Sequence, residues 1–539
     1  MSQEVKVQDK TQKSNIDWVS MIVPFIGVLV LALLFAFVEG ADRVLLIIRG
    51  FLGDDMGIYY ILMGLFALGA TMFIAFSRFG KIKLGAIDDK PQYSSFAWGS
   101  MIFTATMAAD ILFYSLSEWA MYASEPRIAE LGSTQMWAST FPLFHWGPIA
   151  WSFYIVLAAA FGFMLHVRGR TKQKFSEACR PLLGNKVDGI VGRIIDTIAI
   201  FSLIAGTATT FSLATPLLAG AFAHVFGIAT SAALTICILL LIAVVYTIAV
   251  LTGMGGIARL ARFSVYLFFA FLFYFLFLGG ETRYIIETGV AAIGNLAQNF
   301  IGLATYTDPL REFSFVQDWT VFFWAYWMAW CIATPFFIGL ISKGRTLKNT
   351  VLGAYCWGLA GTFTSFIILG NYGLSQQMKF NANPGHGFDA AGAIAASDWA
   401  PESISSIIIG IFETLPVPSV ALIILVVNMV IFYATTFDAL TMVVSCYSHK
   451  KLDPGQEPNK KVRAFWTILL IMFPIGPIFS DSALQSLQSV AIIAAFPIGI
   501  VVCIIVASFF KDAGMYLKEQ VLPKQQILIK EKSPADPKE

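Results

Sequence analysis

The sequence predicts an all-α polytopic membrane protein with twelve transmembrane helices. Three observations carry that prediction: an apolar composition stripped of charge, twelve long apolar runs, and loops that alternate in basic charge. Of the 539 residues, 57% are hydrophobic and only 13% charged, with a mean hydropathy of +0.72. A soluble domain has a similar apolar share but about a quarter of its residues charged. The 48 Phe and 43 Gly fit helices packed in lipid. With 36 Lys and Arg against 34 Asp and Glu, the net charge is +2, which argues against a nucleic-acid partner.

A spanning helix needs about 20 apolar residues. Such runs lie at 18–39, 58–78, 97–122, 141–166, 194–222, 229–252, 263–280, 320–341, 349–371, 419–445, 463–480 and 487–510. The stretch 283–305 is less hydrophobic and amphipathic, and predicts a helix along the membrane interface between the seventh and eighth spans. Residues 372–400, rich in Gly, Asn and Asp, predict a long loop.

The loops sort by charge. One set holds Lys6, Lys10 and Lys13; Arg78, Lys81 and Lys83; Arg168 to Lys174 and Arg180; Arg259 and Arg262; Lys343, Arg345 and Lys348; Lys450, Lys451, Lys460 and Lys461; and the Lys-rich tail after Lys511. The alternate loops are nearly free of Lys and Arg, with only Lys379 in 372–400. By the positive-inside rule, both termini are expected in the cytoplasm of a plasma-membrane protein, which needs an even number of spans. The stretch before Asp17 is polar and is not expected to be a cleavable signal.

The six cysteines mostly lie in apolar runs without a CxxC pair, which argues against a disulfide framework or a thiolate metal site. The five histidines are scattered, and no HExxH, GxSxG or Gly-rich GK[ST] loop occurs. An intramembrane enzyme would need a paired nucleophile and base or a metal triad at one depth. No such set is apparent, so a non-enzymatic protein without a cofactor is expected.

Three constellations inside the spans carry chemistry. Asp110 sits in MIFTATMAADILFYSLSE, where an ionised carboxylate costs roughly 2.5–3.5 kcal/mol unless it meets water or a cation. It is either a structural Asp bonded to a neighbouring helix or a site for a cationic substrate or a proton. Glu118, two turns on, is expected nearer the outer surface. The second constellation is aromatic. His145-Trp146 to Trp151 and Tyr154 opens the fourth span, and Trp319 to Trp330 opens the eighth. At 100° per residue Phe323, Tyr326, Trp327 and Trp330 share one stripe. Aromatics at span ends serve as interfacial anchors, but four on one face over two turns run deeper than a belt. Such a wall suits a quaternary ammonium group, which has no N–H to donate and is held by cation–π contact. The third is the hydroxyl pair Thr435-Thr436, which either bonds back to its own helix or ligates Na⁺ together with carbonyls of an unwound partner helix.

Together these stretches resemble the betaine/carnitine/choline transporter family from about the first span to the last. Trp319 to Arg345, WTVFFWAYWMAW…ISKGRT, is similar to the family signature. FHWGPIAW at 144–151 and YTDP at 306–309 resemble the carnitine/γ-butyrobetaine exchanger branch. The resemblance implies a leucine-transporter-like fold of two inverted five-helix repeats preceded by two extra helices. It divides the chain into a tail at 1–17, the extra helices in 18–92, the first repeat in 93–280, an interfacial helix in 281–317, the second repeat in 318–511 and a tail at 512–539. In such folds the first helix of each repeat breaks at the midplane, where substrate binds; these helices carry Asp110 and Trp327. The implied substrate box is Trp146, Trp151, Tyr154, Trp327 and Trp330, with Tyr326 where the family usually has Trp. The implied sodium site is Met107, Phe432, Thr435 and Thr436.

Three departures bear on substrate and coupling. The Gly-Met-Gly-Ile segment of sodium-coupled betaine carriers is Thr106-Met107-Ala108-Ala109, and their next Gly is Asp110, as in the choline carriers. Sodium-independent exchangers place an Arg in the sodium site; Ser264 aligns there, with Arg259 and Arg262 close by in sequence. The expected function is secondary active transport of quaternary ammonium compounds by alternating access, with choline favoured and a carnitine or betaine carrier as the alternative. An ion channel would have no use for the aromatic box. The coupling ion is open between Na⁺, H⁺ and a countersubstrate, and the resemblance implies a homotrimer.

Overall fold

The computed structural model describes residues 16–38, 40–251, 254–397, 399–450, 452, 458–472 and 484–532. Among these the secondary structure is helical, with two isolated backbone bridges, Ile16 to His449 and Lys83 to Thr346. In chain order the main helices are α1 (Trp18–Phe37), α2 (Ala41–Arg49), α3 (Gly57–Phe76), α4 (Ser95–Thr104), α5 (Ala109–Ala123), α6 (Thr134–His145), α7 (Pro148–His166), α8 (Ile190–Phe226), α9 (Ala232–Leu251) and α10 (Met254–Phe273). They continue with α11 (Thr282–Thr305), α12 (Val321–Trp330), α13 (Thr334–Ile341), α14 (Leu347–Ser365), α15 (Asn371–Ala382), α16 (Pro401–Glu413), α17 (Pro418–Tyr447), α18 (Lys460–Met472) and α19 (Leu484–Lys532). Among the described residues, seven helices are long and apolar enough to cross a bilayer, or nine if each of two bent pairs counts as one span. The eleventh run overlies α18, but its part from 473 to 480 lies outside the described residues, as do 1–15 of the N-terminal tail.

One expectation about loops is corrected. The 372–400 stretch is not one long loop: α14 and α15 form a continuous 36-residue helix that ends at Ala382, and Ala390–Ala395 is helical too. Part of its polar content bonds inside the protein: Gln377 donates to Asp389 (2.9 Å) while accepting from the Ala391 N–H (2.7 Å), and just before it Ser139 donates to Asn371 (2.7 Å). The tail after 511 is likewise helical as far as Lys532. Arg168 and Arg170, from the loop after α7, bind Asp512 and so hold α19 against that loop.

The two bent pairs position the centre of the molecule. α4 and α5 meet at 66° and α12 and α13 at 57°. The second break has a local cause: Pro335 in the first turn of α13 lacks an N–H and would clash with the carbonyl one turn earlier. The first break has neither Gly nor Pro, and tertiary packing holds it. Thr106 turns its hydroxyl back to Phe103 O (2.7 Å), and α14 presents Gly361 there, where a Cβ would lie 2.4 Å from Thr106 Oγ1. The outer ends of the pairs are tied together. Trp98 at the start of α4 donates to Ser342 at the end of α13 (3.0 Å), and the Arg345 guanidinium lies 4.4 Å from the Trp98 ring centre. The signature loop therefore clasps the two broken helices at one end.

Candidate substrate site

The breaks leave Asp110 and the aromatic stripe of α12 facing a common space. Asp110 is the second residue of α5, where unpaired backbone N–H groups and the helix dipole favour a carboxylate. Its Oδ1 accepts the Ile111 N–H (2.9 Å), and its Oδ2 accepts the Tyr326 hydroxyl from α12 (2.8 Å). Tyr326 in turn bonds Thr210 of α8. The carboxylate is thus tethered across both broken helices.

Trp327 is the hub of the aromatic group. Its ring centre lies 4.8 Å from Tyr154, 5.5 Å from Trp146 and 5.6 Å from Trp151. Gly358 of α14 makes room for the face of Trp151, since a Cβ there would come within 2.7 Å of its ring atoms. Asp110, Trp146, Trp151, Tyr154, Tyr326, Trp327 and Trp330 all line one cavity of about 700 Å³. The indole N–H groups of Trp151, Trp327 and Trp330 are buried and have no partner among the described residues. A cavity wall of π-faces, unused N–H donors and one carboxylate can hold a cation carrying a polar arm. Phe323 does not share this wall. It stacks on His145 (4.9 Å, 14°) and packs against Trp146 and Tyr114.

The cavity extends past Met107, Thr435 and Thr436 to Gln173, Leu340 and Cys446, on the side of the Lys- and Arg-rich loops at 168–174 and 343–348. Of the candidate sodium ligands, Phe432 is buried behind this lining with its ring 5.6 Å from Phe268. Thr435 donates to Ile431 O (3.0 Å) and Phe432 O (3.1 Å) of its own helix, so its hydroxyl proton is used locally while its oxygen remains an acceptor. Ser264 is buried, whereas Arg259 and Arg262 are exposed.

The opposite side is sealed by an aromatic layer. Tyr122 meets Trp319 edge-on (5.0 Å), Phe141 meets Phe315 (4.7 Å), and Trp399 covers Trp319 (6.1 Å). Within this layer Glu118 has no exposed surface. Its Oε2 accepts the Trp146 indole N–H (2.7 Å), and its Oε1 lies 2.6 Å from the Tyr122 hydroxyl. The same hydroxyl is 2.6 Å from His145 Nδ1, and His145 Nε2 is 3.0 Å from Thr320 Oγ1. Sequence reading missed this network and also Thr210, because i,i+4 spacing shows only Glu118 with Tyr122. The YTDP turn is explained structurally: the buried Asp308 carboxylate accepts the N–H groups of Glu312, Phe313 and Ser314.

Comparison with known proteins agrees with this architecture. The sequence model of the betaine/carnitine/choline family transporters matches residues 16–517. The glycine betaine transporter of Bacillus subtilis is 28% identical over 494 residues, 90% of this chain and 92% of that protein. The carnitine transporter of Acinetobacter baumannii is 27% identical over 451 residues, 82% and 79% of the two chains. The high-affinity choline transport protein of Escherichia coli is 26% identical over 463 residues, 85% and 66% of the two chains.

Proposed function

The chain belongs to the betaine/carnitine/choline transporter family, and from that premise we propose that it is a secondary active carrier of quaternary ammonium compounds with a preference for choline. The observation that carries this reading is the Asp110 carboxylate, held by Tyr326 beside the ring hub at Trp327. A trimethylammonium group satisfies the π-faces, and its charge is neutralised by Asp110. A substrate with its own carboxylate would meet repulsion there. The basic loops at the open end of the cavity support a cytoplasmic assignment for that end, so the conformation reads as inward-open, with both termini in the cytoplasm. Twelve spans in two inverted repeats and a homotrimer complete the proposal.

Two further observations shape it. The unpartnered N–H groups of Trp151, Trp327 and Trp330 favour, as a second reading, a zwitterion whose carboxylate they would bind. With Ser264 buried and both nearby arginines exposed, the Thr435–Thr436 region keeps room for Na⁺ as a transported ion, which Met107 would flank. The test is counterflow of radiolabelled choline, carnitine and betaine in proteoliposomes, with and without Na⁺. Choline exchange that the two zwitterions compete with poorly is expected; exchange of carnitine or betaine with choline ignored would overturn the preference.

A further inference from the structure

We propose that Glu118, Tyr122 and His145 form a proton-binding site whose occupancy controls the sealing of the aromatic layer, with Glu118 as the proton acceptor. The argument is hydrogen counting. Tyr122 has one hydroxyl proton but two acceptor atoms at 2.6 Å, Glu118 Oε1 and His145 Nδ1. If Tyr122 donates to Glu118, His145 carries its proton on Nδ1, and its Nε2 accepts from Thr320. If Glu118 is itself protonated and donates to Tyr122, the phenol donates to Nδ1 and His145 donates from Nε2 to Thr320. Both arrangements satisfy every atom, and they differ by one proton. They also reverse the polarity of the Thr320 hydroxyl, which belongs to the turn that opens the second broken helix.

The surroundings choose between them. Glu118, Tyr122 and His145 are fully buried, and among the described residues no Lys or Arg is paired with Glu118. The other titratable groups around this stretch are Tyr114, Asp110 and Glu125 of the same polypeptide segment, none of them cationic. Phe366 covers the Trp146 ring that donates to Glu118 (5.1 Å), and the short helix that follows α5 carries Arg127, whose guanidinium is paired with Glu130 and lies over the rings of Tyr306 and Phe313. A bare carboxylate in so dry a place is unfavourable, whereas the neutral acid is not. Sealing the layer removes water from Glu118 and draws a proton onto it; opening rehydrates the carboxylate and releases that proton to solvent. Acid therefore favours the sealed form. Because Trp146 is bonded to Glu118 and packs on Trp327, the proton is also felt in the substrate box.

The proposal rests on the carrier reading for its transport consequence, but not for the proton itself. Infrared pH-difference spectra of the purified full chain should contain the carbonyl band of a buried protonated carboxyl, present in wild type and Asp110→Asn and lost in Glu118→Gln. In proteoliposomes, choline counterflow should change by roughly fivefold or more between mildly alkaline and mildly acidic buffer, a typical coupling between linked sites. That slope should flatten in Glu118→Gln and in Tyr122→Phe, which keeps the ring, and persist in Asp110→Asn, whatever the remaining rate. A band absent from wild type or retained in Glu118→Gln overturns the site, as does a flat wild-type profile. Failure of choline, carnitine and betaine to exchange, with the band intact, would count against the substrate reading alone.

Discussion

The two faces of the broken helices are built from the same residue types and differ in how their polar atoms are satisfied. On the sealed side, Glu118, Tyr122, His145 and Thr320 consume one another's hydrogen-bonding capacity, and the rings between them pack edge to face. On the cavity side, Trp151, Trp327 and Trp330 keep unused N–H groups, and Asp110 is held by only two donors. A satisfied aromatic–polar cluster rigidifies a closure; an unsatisfied one can bind a ligand. Substitutions on the sealed side should therefore cost stability, and those on the cavity side should cost affinity.

The largest effect is expected at Phe323, which is fully buried between His145, Trp146 and Tyr114. Phe323→Ala should lower folding stability by about 3–4 kcal/mol, seen as a lower thermal midpoint in detergent. A stable variant with weakened substrate binding would erase the distinction between the faces.

Asp110→Asn should leave the midpoint nearly unchanged and weaken choline binding by about 2–4 kcal/mol, roughly 30- to 700-fold. Carnitine or betaine binding should hold or improve. Equilibrium competition among the three compounds reads this out, and an unaltered preference would make Asp110 a structural tether. Trp327→Leu, which removes the hub of the box, should cost about 1–2 kcal/mol, or roughly tenfold in affinity. An unchanged binding constant in the folded variant contradicts the box.

The hydroxyl pair gives a smaller test. Thr435→Ala and Thr436→Ala should each raise the Na⁺ concentration for half-maximal uptake by about threefold, since the Thr435 proton goes to its own helix and leaves its oxygen free to ligate a cation. Uptake indifferent to Na⁺, or unmoved by both substitutions, would remove the pair from coupling. The smallest effect lies outside both faces. Arg180 donates to both oxygens of Asp188 and holds its carboxyl down to about 2. A depressed acid stabilises the fold above the ordinary carboxylate range and loses that contribution as the pH falls toward its folded pKa. On this half-exposed pair the effect is under about 1 kcal/mol, and Asp188→Asn should shift the thermal midpoint slightly at neutral pH and not near pH 2.

Much of the layout was legible because its signals are local. Apolar runs marked the helices, and the spacing of Tyr326, Trp327 and Trp330 placed them on one face. The same periodicity grouped Phe323 with them, but the ridge of α12 turns into the sealed layer one turn earlier, which spacing alone does not register. Gly, Asn and Asp in 372–400 suggested loop, since composition does not reveal that Gln377 would find Asp389 and the Ala391 N–H as partners.

The sequence by itself determined the membrane-protein class, the basic-loop asymmetry, the family and the residue types available at the centre. Each of these follows from short-range pattern and transfer energetics. Tertiary structure alone decided which of those residues meet: that Tyr326 would tether Asp110, that Gly361 would hold open a break without glycine, and that Glu118 would be buried against His145 and Trp146. These contacts join different helices, and the hydrogen bonds among them exist only once packing has excluded the water that would otherwise satisfy the same atoms.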